Sequence, residues 1–505
     1  MFLRNKIIFI FSLVLFFGLI FQVQAATLAE SLNFNIDSSY DISARVQLTA
    51  TLIKITPKLY FYVDKNWWDS QSFLQQNEIL NSLDLLSQEF ENKIYPNLTR
   101  TFGSEWNPGI DKDERITILI HLMKEEAGGY FNSADEYSKI QVPNSNEREM
   151  LYFNATYINK AQAKSFLAHE FVHLITFNQK DRIYGVSEDV WLNEARAEYA
   201  PVLLGYDDIY EGSNLQRRVK NFLERPTDSL TEWQNKPFDY GVVNIFIRYL
   251  VDNYGVEILA DSLKMKKTGI ESLNVILSKQ SYIEDFSQIF TNWTIAILIN
   301  DCSFGPKYCY REDNLENFRI TPTVNFLPLF GQSTLSVISE TKEWAGNWQK
   351  FVGGRRNLRL EFVGSGEVNF KVSYIIEDFE GNYSINFLQL GQEQKGTISI
   401  SDWGTKNKSL IIIPLAATKI SNFSNQEPSY QFSWQVSTKE KSEEEESELI
   451  KKLLAQIEFL EREIARIQSQ ITALLTKKEL SSLICQKYLY YSSSKFITLP
   501  KITQS

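Results

Sequence analysis

Residues Leu167 to Ala200 read LAHEFVHLITFNQKDRIYGVSEDVWLNEARAEYA. This stretch is the most informative part of the 505-residue chain for its fold and its functional site. It contains two of the three histidines of the sequence, His169 and His173, four positions apart and separated by Glu170 and two further residues. Residues at i and i+4 lie one above the other on a helix, so both imidazoles can reach one metal ion. Glu170 lies about 100° further round the helix, within reach of a water on that metal. The pattern predicts a helix that carries a metal site.

The same helix carries apolar side chains away from the histidines, namely Leu167, Phe171, Leu174 and Ile175. A helix with such a stripe packs on a core, and we expect the histidine face to look into the protein as a half-buried site. The alternative is a pair of core histidines satisfied by hydrogen bonds, with Glu170 on the surface. That alternative does not explain why such rare residues pair at metal-ligand spacing.

A third ligand is expected from the second half of the stretch. A catalytic zinc keeps three protein ligands and one water. His121 is the remaining histidine, so a carboxylate is favoured as the third ligand. In WLNEARAEY, Glu194 and Glu198 share one helix face, again at i and i+4. One of them would complete the metal shell, and the other would hydrogen-bond a histidine ring and fix its tautomer.

HEFVH followed by WLNEARAEY resembles the gluzincin metallopeptidases, over about Arg115 to Gly255. The aminopeptidase-N type has a WLNE-G-F-A-x-Y segment at nearly this spacing, and thermolysin has an N-E-x-x-S-D version. Within this clan the chain looks most like the hyicolysin-type secreted bacterial peptidases. The resemblance implies Zn²⁺ held by His169, His173 and Glu194, with Glu198 behind a ligand and Glu170 as the general base.

The sequence also departs from these patterns. The aminopeptidase-N type has a G-x-M-E-N segment that grips the free amino terminus of a substrate, and nothing between Arg115 and Ala168 matches it. An endopeptidase is therefore favoured over an aminopeptidase. That type also uses the tyrosine of a Tyr-x-x-Gly motif to stabilise the oxyanion. Here PFDYG has Phe238 at that place and Tyr240 two residues later, so Tyr240 is our prediction for this role.

The order of patterns along the chain predicts an α+β fold. Segments with the alternating pattern of β-strands precede the quoted stretch, and segments with helical periodicity follow it. This order is expected of a zincin-type catalytic domain, here over 26–328. Period-two segments between glycine-rich turns predict a β-sandwich over 329–437. Apolar residues at 3–4 spacing from Ile450 to Leu474 predict a coiled coil over 438–480 that forms a parallel homodimer. The alternative is an amphipathic helix packed on the sandwich. Residues 481–505 form a tail without a readable pattern.

The first 25 residues predict export. Arg4 and Lys6, an apolar run and the triplet Val23-Gln24-Ala25 are typical of a secretory signal peptide. The alternative, a retained membrane anchor, is disfavoured because the run is shorter than the roughly 20 residues that span a bilayer. Cys302 and Cys309 would then form a disulfide in an oxidising compartment, or remain free thiols.

These patterns lead to one main functional hypothesis and one rival. The net charge of −10 without a basic stripe argues against nucleic acid as a partner. The main hypothesis is a secreted or cell-surface zinc endopeptidase acting on polypeptides. Its substrate would lie extended along a sheet edge. By analogy with thermolysin, GGYF at 128–131 would be that edge and MLYFN at 150–154 the strand next to it; a plain turn is the alternative for the two glycines. The rival is a surface scaffold or adhesin with an idle zincin domain and a partner at the cell surface.

Overall fold

The computed structural model describes residues 27–125, 127–329, 333–417, 428–438 and 443–493. The predicted signal peptide and the end of the predicted tail, residues 494–505, lie outside these ranges. Within them, no helix combines the length and the apolar character that crossing a membrane requires.

The first part of the chain forms a six-stranded mixed sheet with the order β1-β2-β3-β4-β6-β5. β3, β4 and β6 are parallel neighbours, and β5 pairs with β6 in the antiparallel sense. β5 is therefore an edge strand with β6 next to it, as predicted for GGYF and MLYFN. The strands are β1 (Ser31–Asn35), β2 (Gln47–Ile55), β3 (Leu59–Asp64), β4 (Ile116–His121), β5 (Gly129–Phe131) and β6 (Met150–Asn154). The helices between them are α1 (Lys65–Ser70), α2 (Phe73–Glu89) and α3 (Tyr95–Phe102).

Successive side chains of the central strands point to opposite faces of the sheet, so each face contributes to its own apolar core. In β4, Ile116, Ile118 and Ile120 belong to the large cluster that includes the helices. Leu119 points to the other face, where it packs with residues of β5 and β6. All six residues of β4 are buried, as expected for a parallel strand covered on both faces.

The helical half follows the sheet and packs on one of its faces. Its apolar side chains form one continuous cluster with those of the strands. The helices are α4 (Ala163–Thr176), α5 (Val190–Leu203), α6 (Asn214–Glu224), α7 (Pro237–Tyr254), α8 (Glu257–Ser262), α9 (Gly269–Lys279) and α10 (Phe286–Ile299). A disulfide joins Cys302 and Cys309 after α10.

Nine further strands form two ladders that share a core. One ladder has the order β12-β11-β14-β9-β7 and the other β13-β10-β15-β8. Trp403 pairs with Asn407 between them, and Glu343 after β8 forms a bridge with Ala416. Phe351 of one ladder packs edge-on against Trp434 of the other. The strands are β7 (Thr323–Leu327), β8 (Ser333–Lys342), β9 (Gln349–Gly353), β10 (Arg356–Gly364), β11 (Phe370–Asp378), β12 (Tyr383–Leu388), β13 (Lys395–Trp403), β14 (Asn407–Ala416) and β15 (Ser429–Thr438).

The second part of the chain packs directly on the helical half. Trp344, Trp348 and Ile411 belong to the same buried cluster as the residues of α10. The indole Nε1 of Trp348 donates a hydrogen bond to the carbonyl oxygen of Thr294 in α10, at 2.9 Å. Trp344 packs against the rings of Phe286 and Phe290. The two parts therefore share one apolar core.

A long helix, α11 (Glu443–Ser493), ends the described chain and extends past the predicted end of the coiled coil at 480. Its apolar seam is exposed in the single chain, with Ile457 51% and Leu474 66% accessible. The seam is thus not buried on the second sheet.

Helices and strands both make up large parts of the described residues, which is consistent with the predicted α+β class. The first sheet precedes the helical half, and the second set of strands follows it.

Candidate metal centre

Helix α4 places its two histidines by burying the opposite face. Leu167, Phe171 and Leu174 are at most 1% exposed and belong to the core between the helices and the sheet. Phe171 packs against the rings of Phe90 and Tyr95, which fixes the rotation of the helix about its axis. His169 and His173 therefore point away from the sheet and toward α5.

Buried charges fix the connection between α4 and α5. Arg196 of α5 pairs through Nη1 with Glu188 Oε2 at 2.8 Å, and both side chains are at most 1% exposed. Lys180 donates to the carbonyl oxygen of Met265 at 3.0 Å. Breaking a buried ion pair of this kind costs several kcal/mol, about 3–5. The ion pair holds α5 in register, and Glu194 then faces the two histidines.

Three ligand atoms converge above these helices. The Nε2 atoms of His169 and His173 are 3.2 Å apart, and Glu194 Oε2 lies 3.3 Å from the first and 3.6 Å from the second. Ligand atoms about 2.0–2.1 Å from zinc in a tetrahedron are about 3.3–3.4 Å from one another. The triangle therefore has the size of one face of a tetrahedral zinc site.

The hydrogen bonds behind the ligands involve the ring nitrogens remote from the metal position. Asn193 Oδ1 lies 3.1 Å from His173 Nδ1, and Glu198 Oε1 lies 3.5 Å from His169 Nδ1. Both oxygens are acceptors that face Nδ1, so Nε2 is on each ring the nitrogen that a metal would coordinate, in place of any proton there. Glu194 Oε2 is buried and has no hydrogen-bond partner among the described residues. Three electron-pair donors aimed at one point fit a bound cation.

The electrostatics of the site also favour positive charge. Burial by itself would raise the pKa of Glu194, but the two facing histidines lower it below its usual range. Burial would lower the pKa of His173, but Glu194 and Glu170 outweigh this effect and raise it to about 9. The carboxylates therefore stabilise a cation at this point.

Glu198 anchors a buried network behind His169. Its Oε2 accepts from Asn214 Nδ2 at 2.8 Å, Asn244 Nδ2 at 2.9 Å and Arg218 Nε at 3.0 Å, and its Oε1 accepts from Arg218 Nη2. Burial acts to raise the pKa of Glu198, but Arg218 and His169 lower it to about 2. Glu198 is therefore an ionised carboxylate that positions His169 through the ring nitrogen remote from the metal.

Glu170 lies beside the ligands and against the edge strand. His169, Glu170 and His173 offer ligand atoms within 4.8 Å of one another. Glu194 Oε2 also lies within that limit of both Nε2 atoms, at 3.3 and 3.6 Å. A Cβ built on Gly129 of β5 would lie 3.1 Å from Glu170 Cγ. Burial raises the pKa of the Glu170 carboxyl, and the two histidines oppose the rise.

Two tyrosines that are far apart in the sequence, Tyr40 and Tyr240, line the same cleft. The hydroxyl of Tyr240 in α7 donates to Asn235 Oδ1 at 3.0 Å, and Asn235 Nδ2 donates to the hydroxyl of Tyr40 at 3.5 Å. Burial raises the pKa of Tyr240 well above its usual value, with Glu194 acting in the same direction. Both tyrosines line a cleft of about 1010 Å³, together with the histidines and Glu170. Both phenols are therefore protonated hydrogen-bond donors at neutral pH.

The structure brings together His169, Glu170, His173, Glu194, Glu198 and Tyr240 around this cleft. His121 lies elsewhere, because alternation on β4 turns it to the sheet face opposite the helices, where its Nδ1 contacts Asp41 Oδ2 at 3.2 Å. Sequence reasoning missed Tyr40, Asn235, Arg218, Asn214 and Asn193. Asn193 lies inside the quoted WLNE segment and could have been found there. The others have no signal in the local pattern.

A helix pair with two histidines and a glutamate converging on one point has the ligand set of a candidate mononuclear metal centre. No family model matches the chain. The chain is similar to the neutral metalloprotease ShpI of Staphylococcus hyicus, at 27% identity over 263 residues that cover 46% of this chain and 56% of that protein. The match thus spans little more than half the length of that relative.

Solved structures also match parts of the chain. One is the pre-peptidase C-terminal domain of a collagenase from Bacillus anthracis, with 9% identity, 23% of this chain and 96% of that chain covered, and a TM-score of 0.15. Another is CorA, a surface-associated copper-binding protein of Methylomicrobium album BG8, with 11% identity, 23% and 98% covered, and a TM-score of 0.13. TM-scores this low carry no argument about fold or function.

Proposed function

We propose that this protein is a secreted zinc-dependent endopeptidase of the gluzincin type, as the sequence motifs suggested. The observation that carries the proposal is the triangle of His169 Nε2, His173 Nε2 and Glu194 Oε2, with edges of 3.2, 3.3 and 3.6 Å. The similarity to a neutral metalloprotease supports a metallopeptidase in general. The zincin fold of the first part and the sandwich of the second belong to the same proposal.

His169, His173 and Glu194 would hold the zinc ion. When bound, zinc supplies a Lewis acid that activates a water and polarises the substrate carbonyl. Glu170 takes the proton of the attacking water and passes it to the nitrogen of the leaving amine. Its raised pKa makes it a stronger base than an exposed glutamate, which suits a group that must accept a proton and pass it on.

Tyr240 would stabilise the oxyanion that forms on the scissile carbonyl. Its protonated hydroxyl lies in the cleft and can turn from Asn235 to a substrate oxygen. Tyr40 shares the same asparagine and approaches from the other side. Asn235 thus keeps both hydroxyls at the rim of the cleft until a substrate oxygen competes for them.

The substrate would add to the sheet along β5. This strand is the edge of the first sheet, and it lies against Glu170 at Gly129. Main-chain pairing to an edge strand binds extended peptides of many sequences. An extended polypeptide on β5 would therefore pass the general base, as an endopeptidase requires.

Export through the N-terminal 25 residues and dimerisation through α11 complete the proposal. The seam of α11 is exposed in the single chain, which is the arrangement that a parallel partner helix would cover. A partner at the cell surface remains an expectation from the sequence.

Glu170→Gln tests the proposed chemistry. The substitution keeps the shape of the side chain and the three zinc ligands but removes the base, so the purified variant should retain one zinc per chain. Its cleavage of unfolded casein should fall by about 10²–10⁴-fold. Glu271→Gln, at an exposed position, is the matched control and should cleave as the parent protein does. A parent protein without zinc, or a Glu170→Gln variant that keeps most of its casein activity, overturns the proposal. The first of these results would favour the scaffold or adhesin.

A further inference from the structure

Arg217 lies in the wall of the cleft, on α6, and is not used by the proposed chemistry. It lines the same cleft as Tyr240 and Glu170. Its guanidinium carbon lies 5.4 Å from the centroid of the Phe166 ring, and its Nη2 donates to Asn214 Oδ1 at 2.7 Å. A ring contact on one face and a single hydrogen bond leave other N–H groups of this side chain unused.

The ring of Phe166 connects Arg217 to the peptide-binding edge. A Cβ built on Gly128 would lie 2.6 Å from this ring, so the backbone just before β5 packs on one part of Phe166 while Arg217 packs on another. A peptide extended along β5 would therefore pass within reach of the guanidinium, whose side chain is long and flexible.

Glu198 attracts Arg217, but this carboxylate is already paired with Arg218. Arg218 forms a two-point contact with Glu198, whose remaining acceptor positions are used by Asn214 and Asn244. Among the residues that the structure describes, Arg217 forms no ion pair with a carboxylate. Burial and the adjacent charge of Arg218 lower the pKa of Arg217 to about 10. A partly buried cation without an ion-pair partner of its own is destabilised, and an anionic group of a ligand relieves that cost.

We propose that Arg217 selects substrates that carry a carboxylate close to the scissile bond. The carboxylate is either an acidic side chain or the free carboxyl terminus of the peptide. A planar guanidinium matches a carboxylate through two parallel hydrogen bonds, which a neutral amide cannot reproduce. This inference rests on the proposed peptidase function and names the substrate class of the same cleft.

The test compares matched peptides that differ by one charge. One series places Glu or Gln at each position on both sides of a cleavable bond, and a second series ends in a free carboxyl group or an amide. The parent protein should prefer the carboxylate at one position by about 10-fold in kcat/KM, as one charge-assisted pair provides. A preference in the first series would identify an acidic side chain as the recognised group, and a preference in the second series would identify the free carboxyl terminus.

Variants of α6 then assign the preference to one side chain. Arg217→Met should reduce the ratio between the charged and neutral peptides to near 1, and Arg217→Lys should keep part of it. Lys220→Met removes an exposed cation from the same helix and should leave the ratio unchanged. A parent protein that cleaves both members of each pair equally, or a preference that survives Arg217→Met, overturns the inference. The second result would assign the selectivity to another cation of the cleft.

A binding measurement separates this inference from the peptidase proposal. Fluorescence anisotropy reports the affinity of the same labelled peptides for the Glu170→Gln variant, with and without Arg217→Met. The carboxylate peptide should bind about 10-fold more tightly only where Arg217 is present. This result would support the role of Arg217 even in a chain that cleaves nothing, whereas equal binding with active cleavage would overturn the inference alone.

Discussion

Replacing Glu198 by Gln should weaken both the fold and the metal site, and the structure gives the size of each effect. Glu198 accepts four hydrogen bonds from Asn214, Asn244 and Arg218 in a fully buried position. A glutamine side chain has one acceptor oxygen, so its NH₂ group would face the donor groups that now bond to one of the two Glu198 oxygens. The substitution also leaves the Arg218 guanidinium buried without a counter-ion. A broken buried pair costs about 3–5 kcal/mol, and we expect the metal-free variant to lose stability in this range.

The second effect is a lower affinity for zinc, and it acts through His169. Glu198 Oε1 faces His169 Nδ1 at 3.5 Å, and the amide NH₂ of a glutamine there would meet the ring N–H. Losing such support lowers metal affinity by about 10–100-fold. Glu194→Gln is the matched comparison, because it removes a ligand whose Oε2 has no hydrogen-bond partner among the described residues. It should reduce zinc affinity more and the stability of the metal-free protein less.

Two measurements distinguish these effects. Urea unfolding of the metal-free proteins in the presence of a chelator gives the loss of stability. Competition with a chromogenic chelator gives the zinc affinity of the folded proteins. The reasoning is refuted if metal-free Glu198→Gln unfolds within about 1 kcal/mol of the parent protein, since the buried pair with Arg218 would then contribute little.

Two further predictions concern pH and assembly. Burial and contact with Glu343 raise the pKa of Glu232 to about 8, so between about pH 4.5 and 8 the native state keeps a proton that the unfolded chain has lost. The free energy of unfolding therefore falls as pH rises through this window. At pH 8, the Glu232→Gln variant should be more stable than the parent protein by on the order of 1–3 kcal/mol, but at pH 4.5 the difference should be small. An equal difference in urea unfolding at both pH values would contradict this prediction. Removing residues 439–505 should leave casein cleavage intact and reduce the sedimenting species from dimer to monomer; a truncated protein that sediments as a dimer would show that the seam of α11 is not the contact.

The sequence predicted the elements around the centre because their signals are local. Helical spacing alone brings His169 and His173 together, and the same spacing pairs Glu194 with Glu198 on α5. Each of these inferences needs only residues within one turn or one strand of each other.

The partners that complete the centre could not be read in this way. Tyr40 and Asn235 are 195 positions apart and meet through a loop before β2 and the turn before α7. Arg218 and Asn244 reach Glu198 from two other helices. Periodicity tells which face of a helix is buried but not which polar residue of a distant element fills the position opposite it. These contacts depend on tertiary packing.

The apolar core shared by α10 and the strands after it couples the two parts of the chain during folding and unfolding. Trp344 covers the rings of Phe286 and Phe290, and Trp348 donates a hydrogen bond to the carbonyl oxygen of Thr294. Without these two tryptophans, water would reach all three groups. The helices that carry the cleft therefore acquire their full stability only after the ribosome has released residues more than 100 positions beyond Tyr240. Until then, the incomplete chain exposes the apolar face of α10 that Trp344 and Trp348 cover in the complete fold.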